Sequence, residues 1–125
     1  MKIAVLVARI LLGLLFLVFG LNGFLNFIPA PPIPGQAGQF VGVLIASHYF
    51  VVVSLIEVVA SVLLLSGQFI PLGLVLLGPV LFNILVFHVL MQPAGLPPGL
   101  LATILWFIVF FGVRKHFAGI FVQKV

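Results

Sequence analysis

Polar side chains are so sparse in this chain that long apolar runs, not alternation, define its elements. From Ile3 to Ile28 the run is broken only by Arg9, Asn22 and Asn26. As a helix it measures about 39 Å, more than the roughly 30 Å of a bilayer's hydrocarbon core, so it can span with tilt. It is too long for the apolar region of a secretory signal, and it ends in Asn26-Phe27-Ile28-Pro29 with no small-residue cleavage site, so it reads as a retained membrane helix. Pro29, Pro31, Pro32, Pro34 and Gly35 then break helical continuity, because proline lacks the amide hydrogen and clashes with the preceding turn. An interfacial turn over Gln39 to Ser47 leads into a second spanning run, from about Val43 to Ser66. After the turn Ser66-Gly67-Gln68, Phe69 to Met91 predicts a third helix, with Pro71 near its first turn and Pro79 as a kink. Gln92 to Gly99 reads as a loop, and Leu100 to Val113 as a fourth helix that continues past Arg114-Lys115-His116 toward Phe121. The expected spans are therefore about 3–28, 43–66, 69–91 and 100–121. They form one all-α domain over residues 1–125, an integral membrane four-helix bundle without internal repeat or linker.

Composition removes the soluble alternatives. The chain is 65% hydrophobic and 5% charged, whereas a soluble domain needs about a quarter charged residues to face water. Five Lys and Arg against one acid would suggest a nucleic-acid partner in a soluble protein, but no cluster of bases lies on an exposed face, and none is expected here. Zero cysteines exclude disulfides, thiolate metal sites, iron–sulfur ligation and any thiol relay. The five cations, Lys2, Arg9, Arg114, Lys115 and Lys124, lie toward the two termini, while both proline-rich loops carry none. Four spans place the termini on one side, and the excess of Lys and Arg makes that side cytoplasmic.

Against this background the few polar residues stand out. Glu57, the only acid, falls near mid-membrane, where an ionised carboxylate is costly and an ionisable group is by default a functional candidate. Ser47, Ser54, Glu57 and Ser61 recur at helical spacing on one face, with Phe50 filling the gap and Tyr49 at its edge. Small serines also permit close helix packing, which is the structural alternative for this face. Arg9 is at a similar predicted depth and is the natural partner for Glu57, unless it snorkels to the headgroups. Asn83, deep in the third helix, needs a hydrogen-bond partner, so Arg9, Glu57 and Asn83 form an expected central polar layer. An outer layer of Asn22, Asn26, Tyr49, His88 and Gln92, with His48 nearby, supplies candidates for ligand binding. One His48–His88 pair is thin support for haem, and three histidines with one carboxylate are thin support for zinc, so no metal site is expected. The rings from Trp106 to Phe111 read most simply as a lipid-facing or packing surface, with a quinone cavity as the alternative.

Ala8-Arg9-Ile10-Leu11-Leu12-Gly13-Leu14-Leu15-Phe16, leading to Phe19-Gly20-Leu21-Asn22-Gly23-Phe24, resembles the start of the DoxX family of small bacterial four-helix membrane proteins. Ile56-Glu57-Val58-Val59-Ala60 before Leu63-Leu64-Leu65-Ser66-Gly67, and Asn83 to His88 before Pro93-Ala94-Gly95-Leu96-Pro97, resemble the second and third helices of that family. The resemblance implies a multi-pass protein of the bacterial inner membrane. Members are linked to a subunit of thiosulfate:quinone oxidoreductase and to membrane-associated redox assemblies. Arg9, Glu57, Asn83 and His88 carry over as pattern residues, without catalytic roles.

The expected function is an accessory or anchoring subunit, not catalytic alone, of a quinone-linked or redox membrane assembly, binding a lipid or quinone-like amphiphile. No nucleophile, base and orienting group occur together at a useful spacing. The alternative is a small transporter or channel-like protein in which Glu57 is the titrating intramembrane group; a third class is an enzyme acting on a membrane-soluble substrate. The amphiphile is expected in the outer half of the bundle, beside Asn83 and His88, where the Pro79 kink would open space.

Overall fold

The computed structural model describes residues 2–28 and 32–124, and helices are the only regular structure among them. Pro29 and Pro31 of the first proline-rich loop lie outside the described residues. The order is α1 (Lys2–Leu25), α2 (Gly35–Ala46), α3 (Tyr49–Ser66), α4 (Ile70–Leu90) and α5 (Leu96–Val113). A short 3₁₀ turn, Pro93–Gly95, precedes α5, and a 3₁₀ helix, Arg114–Phe121, follows it. α1, α3, α4 and the continuous run Pro93–Phe121 are each long and apolar enough to cross a membrane.

Two boundaries differ from expectation. The second spanning helix does not begin at Val43, because the chain breaks at Ser47 and His48 and makes α2 a separate helix of 12 residues. At the break the amide of Ser47 donates to the Val43 carbonyl at 2.9 Å and that of His48 to the Ile45 carbonyl at 3.1 Å. His48 then takes a left-handed φ of 64°, and the Ser47 hydroxyl accepts the Tyr49 amide at 3.3 Å. These bonds close α2 and restart the chain as α3. Upstream, Pro34 supplies the extended N-cap of α2, and no breaker follows until Ser47. The last spanning helix starts at Leu96 instead of Leu100, since Pro97 and Pro98 occupy its first turn, where a missing amide hydrogen leaves no bond unmade. The expected extension toward Phe121 exists in the tighter 3₁₀ form. α4 runs continuously through Pro79.

α1 packs against α3 and α5, α3 against α4, and α4 against α5, which closes the bundle. Leu12, Leu64, Leu74, Leu77 and Val109 form its fully buried centre. α1 and α3 approach closely, for a β-carbon on Gly20 would lie 2.8 Å from Val58 Cγ2 and 3.2 Å from Glu57 Cβ. Val52, Leu55, Val59 and Val62 turn the opposite face of α3 outward, so this helix is polar inside and apolar outside. That reversal is the arrangement hydrocarbon demands. The turn from Ser66 to Phe69 is so short that α3 and α4 are antiparallel neighbours, and it lies at the same end of the bundle as both termini. This terminal end holds the cations, and the opposite end carries α2 and the Pro93–Gly95 turn.

Candidate functional site

Three of the four polar positions expected on one face of the second spanning helix are buried together. Ser54 and Ser61 are fully buried and Glu57 is 6% exposed, all facing α1, as their three- and four-residue spacing requires. Ser47 is excluded because it sits on the exposed break before α3. The Ser61 hydroxyl donates to the Glu57 backbone carbonyl at 2.6 Å, a bond within the same helix. Ser54 Oγ is wholly buried without a hydrogen-bond partner, and a β-carbon on Gly23 would overlap it. Among the described residues the Glu57 carboxylate makes no ion pair and no hydrogen bond.

The central layer does not assemble. Arg9 Nη1 donates to the Leu64 carbonyl and, at 3.5 Å, to that of Leu65, so it caps the last turn of α3 in place of pairing with Glu57. Leu64 is seven residues beyond Glu57, about 10 Å along the axis. A cation at a helix C-terminus meets unpaired carbonyls and the negative end of the dipole, an alternative to an ion pair that needs no buried carboxylate. Gly67, which ends α3 at φ 73°, leaves room for the guanidinium: a β-carbon there would lie 3.0 Å from Arg9 Nη1. Asn83 is exposed on α4, and its Nδ2 donates to the Pro79 carbonyl of its own helix at 2.8 Å. Its amide is thus satisfied without reaching another span.

The outer candidates divide in two. Asn22 Oδ1 accepts the Ile28 amide at 2.8 Å and so shapes the exit from α1. Asn26 is exposed with φ 51°, and Tyr49 is 62% exposed at the start of α3. His88 and Gln92 do come together, since a β-carbon on Gly95 would lie 2.7 Å from His88 Nε2 and 3.3 Å from Gln92 Oε1. His88 Nδ1 lies 2.9 Å from the Ile84 carbonyl. A carbonyl only accepts, so Nδ1 carries a proton, and in the neutral imidazole Nε2 then presents its lone pair. Phe87 meets the His88 ring edge-on at 5.1 Å and is stacked by Phe40 of α2 at 5.7 Å.

Two cavities, of about 280 and 330 Å³, both lie at the terminal end, and neither is lined by Asn83 or His88. Lys2 and Arg9 line the first cavity and His116 the second. Lys2 carried no signal in the sequence beyond its charge. Trp106 was also missed as a fastener: its Nε1–H donates to the Leu74 carbonyl at 3.0 Å, and its ring stacks on Phe110 at 5.4 Å. The one tryptophan in an apolar span was the available signal, because an indole N–H needs an acceptor when it leaves water.

No curated protein and no solved structure matches the chain. The family model for DoxX matches residues 4–90, from the first turn of α1 to the last residue of α4, and takes in the α1–α3 seam, Arg9 with its carbonyl partners, and His88. A multi-pass membrane protein by its helices, the chain belongs to the DoxX family.

Proposed function

We propose that this chain is an accessory or anchoring subunit, not catalytic by itself, of a quinone-linked or redox assembly in the bacterial inner membrane, with both termini cytoplasmic. In this reading the polar head of a lipid or quinone-like amphiphile meets His88 and Gln92 from the bilayer, and its tail stays among the acyl chains. The observation that carries it is the His88 Nδ1 contact to the Ile84 carbonyl: with Nδ1 donating there, Nε2 of the neutral imidazole is an acceptor on the same side as Gln92 Oε1. A quinol hydroxyl or a lipid glycerol hydroxyl donates to such a pair. Most other polar groups hold helix to helix or satisfy their own helix, which suits a scaffold better than a reaction centre.

The test is to purify the chain from its own membranes in mild detergent, identify copurifying subunits and extract bound quinone and lipid. Wild type should bring down redox subunits and a quinone or lipid that His88→Leu loses. A chain that migrates alone, with the same extract from both proteins, would sink the proposal.

A second reading has its own support. The unpaired Glu57 beside the partnerless Ser54 hydroxyl suits a small transporter in which Glu57 binds the moving cation or proton. Uptake into proteoliposomes that Glu57→Gln abolishes would favour it.

A further inference from the structure

We propose that the groove between the N-terminal turns of α1 and the neighbouring ends of α4 and α5 holds one anionic phospholipid, its phosphate on Lys2 and Arg9. This goes beyond the redox reading and does not depend on it, for the groove is at the opposite end of the bundle from His88. Its volume is about 280 Å³. The walls are apolar, with Val5 and Leu6 from α1, Ile70 from α4 and Val109 from α5, and its cations are Lys2 and Arg9. A basic mouth over an apolar trough matches a headgroup phosphate followed by an acyl chain, and basic pockets between spans are suited to anionic lipid heads.

Charge complementarity singles out an anionic lipid. Lys2, Arg9, Arg114, Lys115 and Lys124 lie toward this end of the chain, whereas the only acid, Glu57, is buried about two turns of α3 away from the Arg9 contact. Among the described residues no side-chain carboxylate is therefore available to neutralise the groove. Arg9 has donors to spare: a guanidinium carries five N–H groups, and Nη1 alone reaches the α3 carbonyls. It is held in place by those carbonyls, so a phosphate meets a donor already oriented, which reduces the ordering cost of binding. Lys2 is exposed at the mouth and adds a mobile second charge. The adjoining depression shares Ile70 and Val113 with the groove and brings His116 within the same basic surface.

The purified full chain in nanodiscs, or in detergent by native mass spectrometry, is offered phosphatidylglycerol and phosphatidylcholine of the same acyl chains. Wild type should retain one phosphatidylglycerol through delipidation steps that strip phosphatidylcholine. Lys2→Gln should weaken that retention about fivefold, the effect of one Lys near an anionic lipid. Leu6→Trp, which places a ring in the trough from an exposed position, should also weaken it, while Lys115→Gln should leave it unchanged. Equal retention of the two lipids would overturn the proposal. So would a loss in Lys115→Gln as large as in Lys2→Gln, which would mean diffuse surface charge, or full retention in Leu6→Trp. Unchanged melting temperatures of the Lys2→Gln and Lys115→Gln proteins show that folding is not the cause.

Discussion

Gly23 of α1 lies so close over Ser54 of α3 that a β-carbon on the glycine would occupy the space of the serine hydroxyl. The contact fixes how near the two helices come and leaves Ser54 Oγ buried with no partner. Without a hydrophobic effect between helices in lipid, such close backbone approach supplies much of the attraction.

Gly23→Ala should therefore cost about 1–3 kcal/mol of overpacking, read as earlier unfolding in detergent. Ser54→Gly in the same chain should restore most of it, because the clash is with the serine side chain. Ser54→Ala alone should be at least as stable as wild type, since it removes a buried hydroxyl that bonds to nothing. A Gly23→Ala protein as stable as wild type would mean that the seam is looser than this contact requires.

Arg9→Leu should cost about 1.5–3 kcal/mol, the worth of hydrogen bonds from a charged donor, and the cost should be the same in a Glu57→Leu background. A double-mutant cycle checks this: a coupling below about 0.5 kcal/mol is expected for groups this far apart without shared partners. A strong coupling would restore the Arg9–Glu57 ion pair and displace the α3 cap.

What the sequence allowed, and what it hid, follows from where the acceptors are. The inward face of Ser54, Glu57 and Ser61 was readable because side chains repeat with the helical period, and in an apolar helix polar positions name the interior. The four spans were readable from run length alone. The partner of Arg9 was not, since backbone carbonyls have no letter in the sequence and every helix offers the same ones. Asn83 was misplaced for a like reason: depth in the membrane implied a partner on another span, but the Pro79 carbonyl one turn back satisfies the amide locally. The break at Ser47 and His48 was hidden because it uses no Gly or Pro, only a left-handed histidine and a serine hydroxyl.

Trp106→Phe should lose about 1 kcal/mol with little change in packing, because phenylalanine keeps a ring against Phe110 but not the N–H bond to Leu74. Urea-free thermal unfolding in detergent measures it. A loss near zero would mean that the indole N–H finds an equivalent partner elsewhere.

Single cysteines at Gln36, Ala94 and Gln123 test the orientation, in a chain that has none of its own. All three positions are exposed. On intact cells an impermeant thiol reagent should label positions 36 and 94 and spare 123, with 123 reacting after lysis. Labelling at 123 with silence at the other two would invert the topology.

The lengths of the paired helices α1 and α3 impose a condition on the lipid around them. With 24 and 18 residues they measure about 36 and 27 Å, so no flat bilayer of one thickness matches both while they stand upright. α1 can lean to fit, but α3 is already slightly short of a typical hydrocarbon core, and α2 adjoins it at the end where its length runs out. A bilayer thicker than α3 can meet it by thinning toward the bundle, at a cost of fractions of a kcal/mol per Å of mismatch. The protein therefore favours thin leaflets or short acyl chains on that flank, and bilayer thickness itself becomes a variable that tunes its stability.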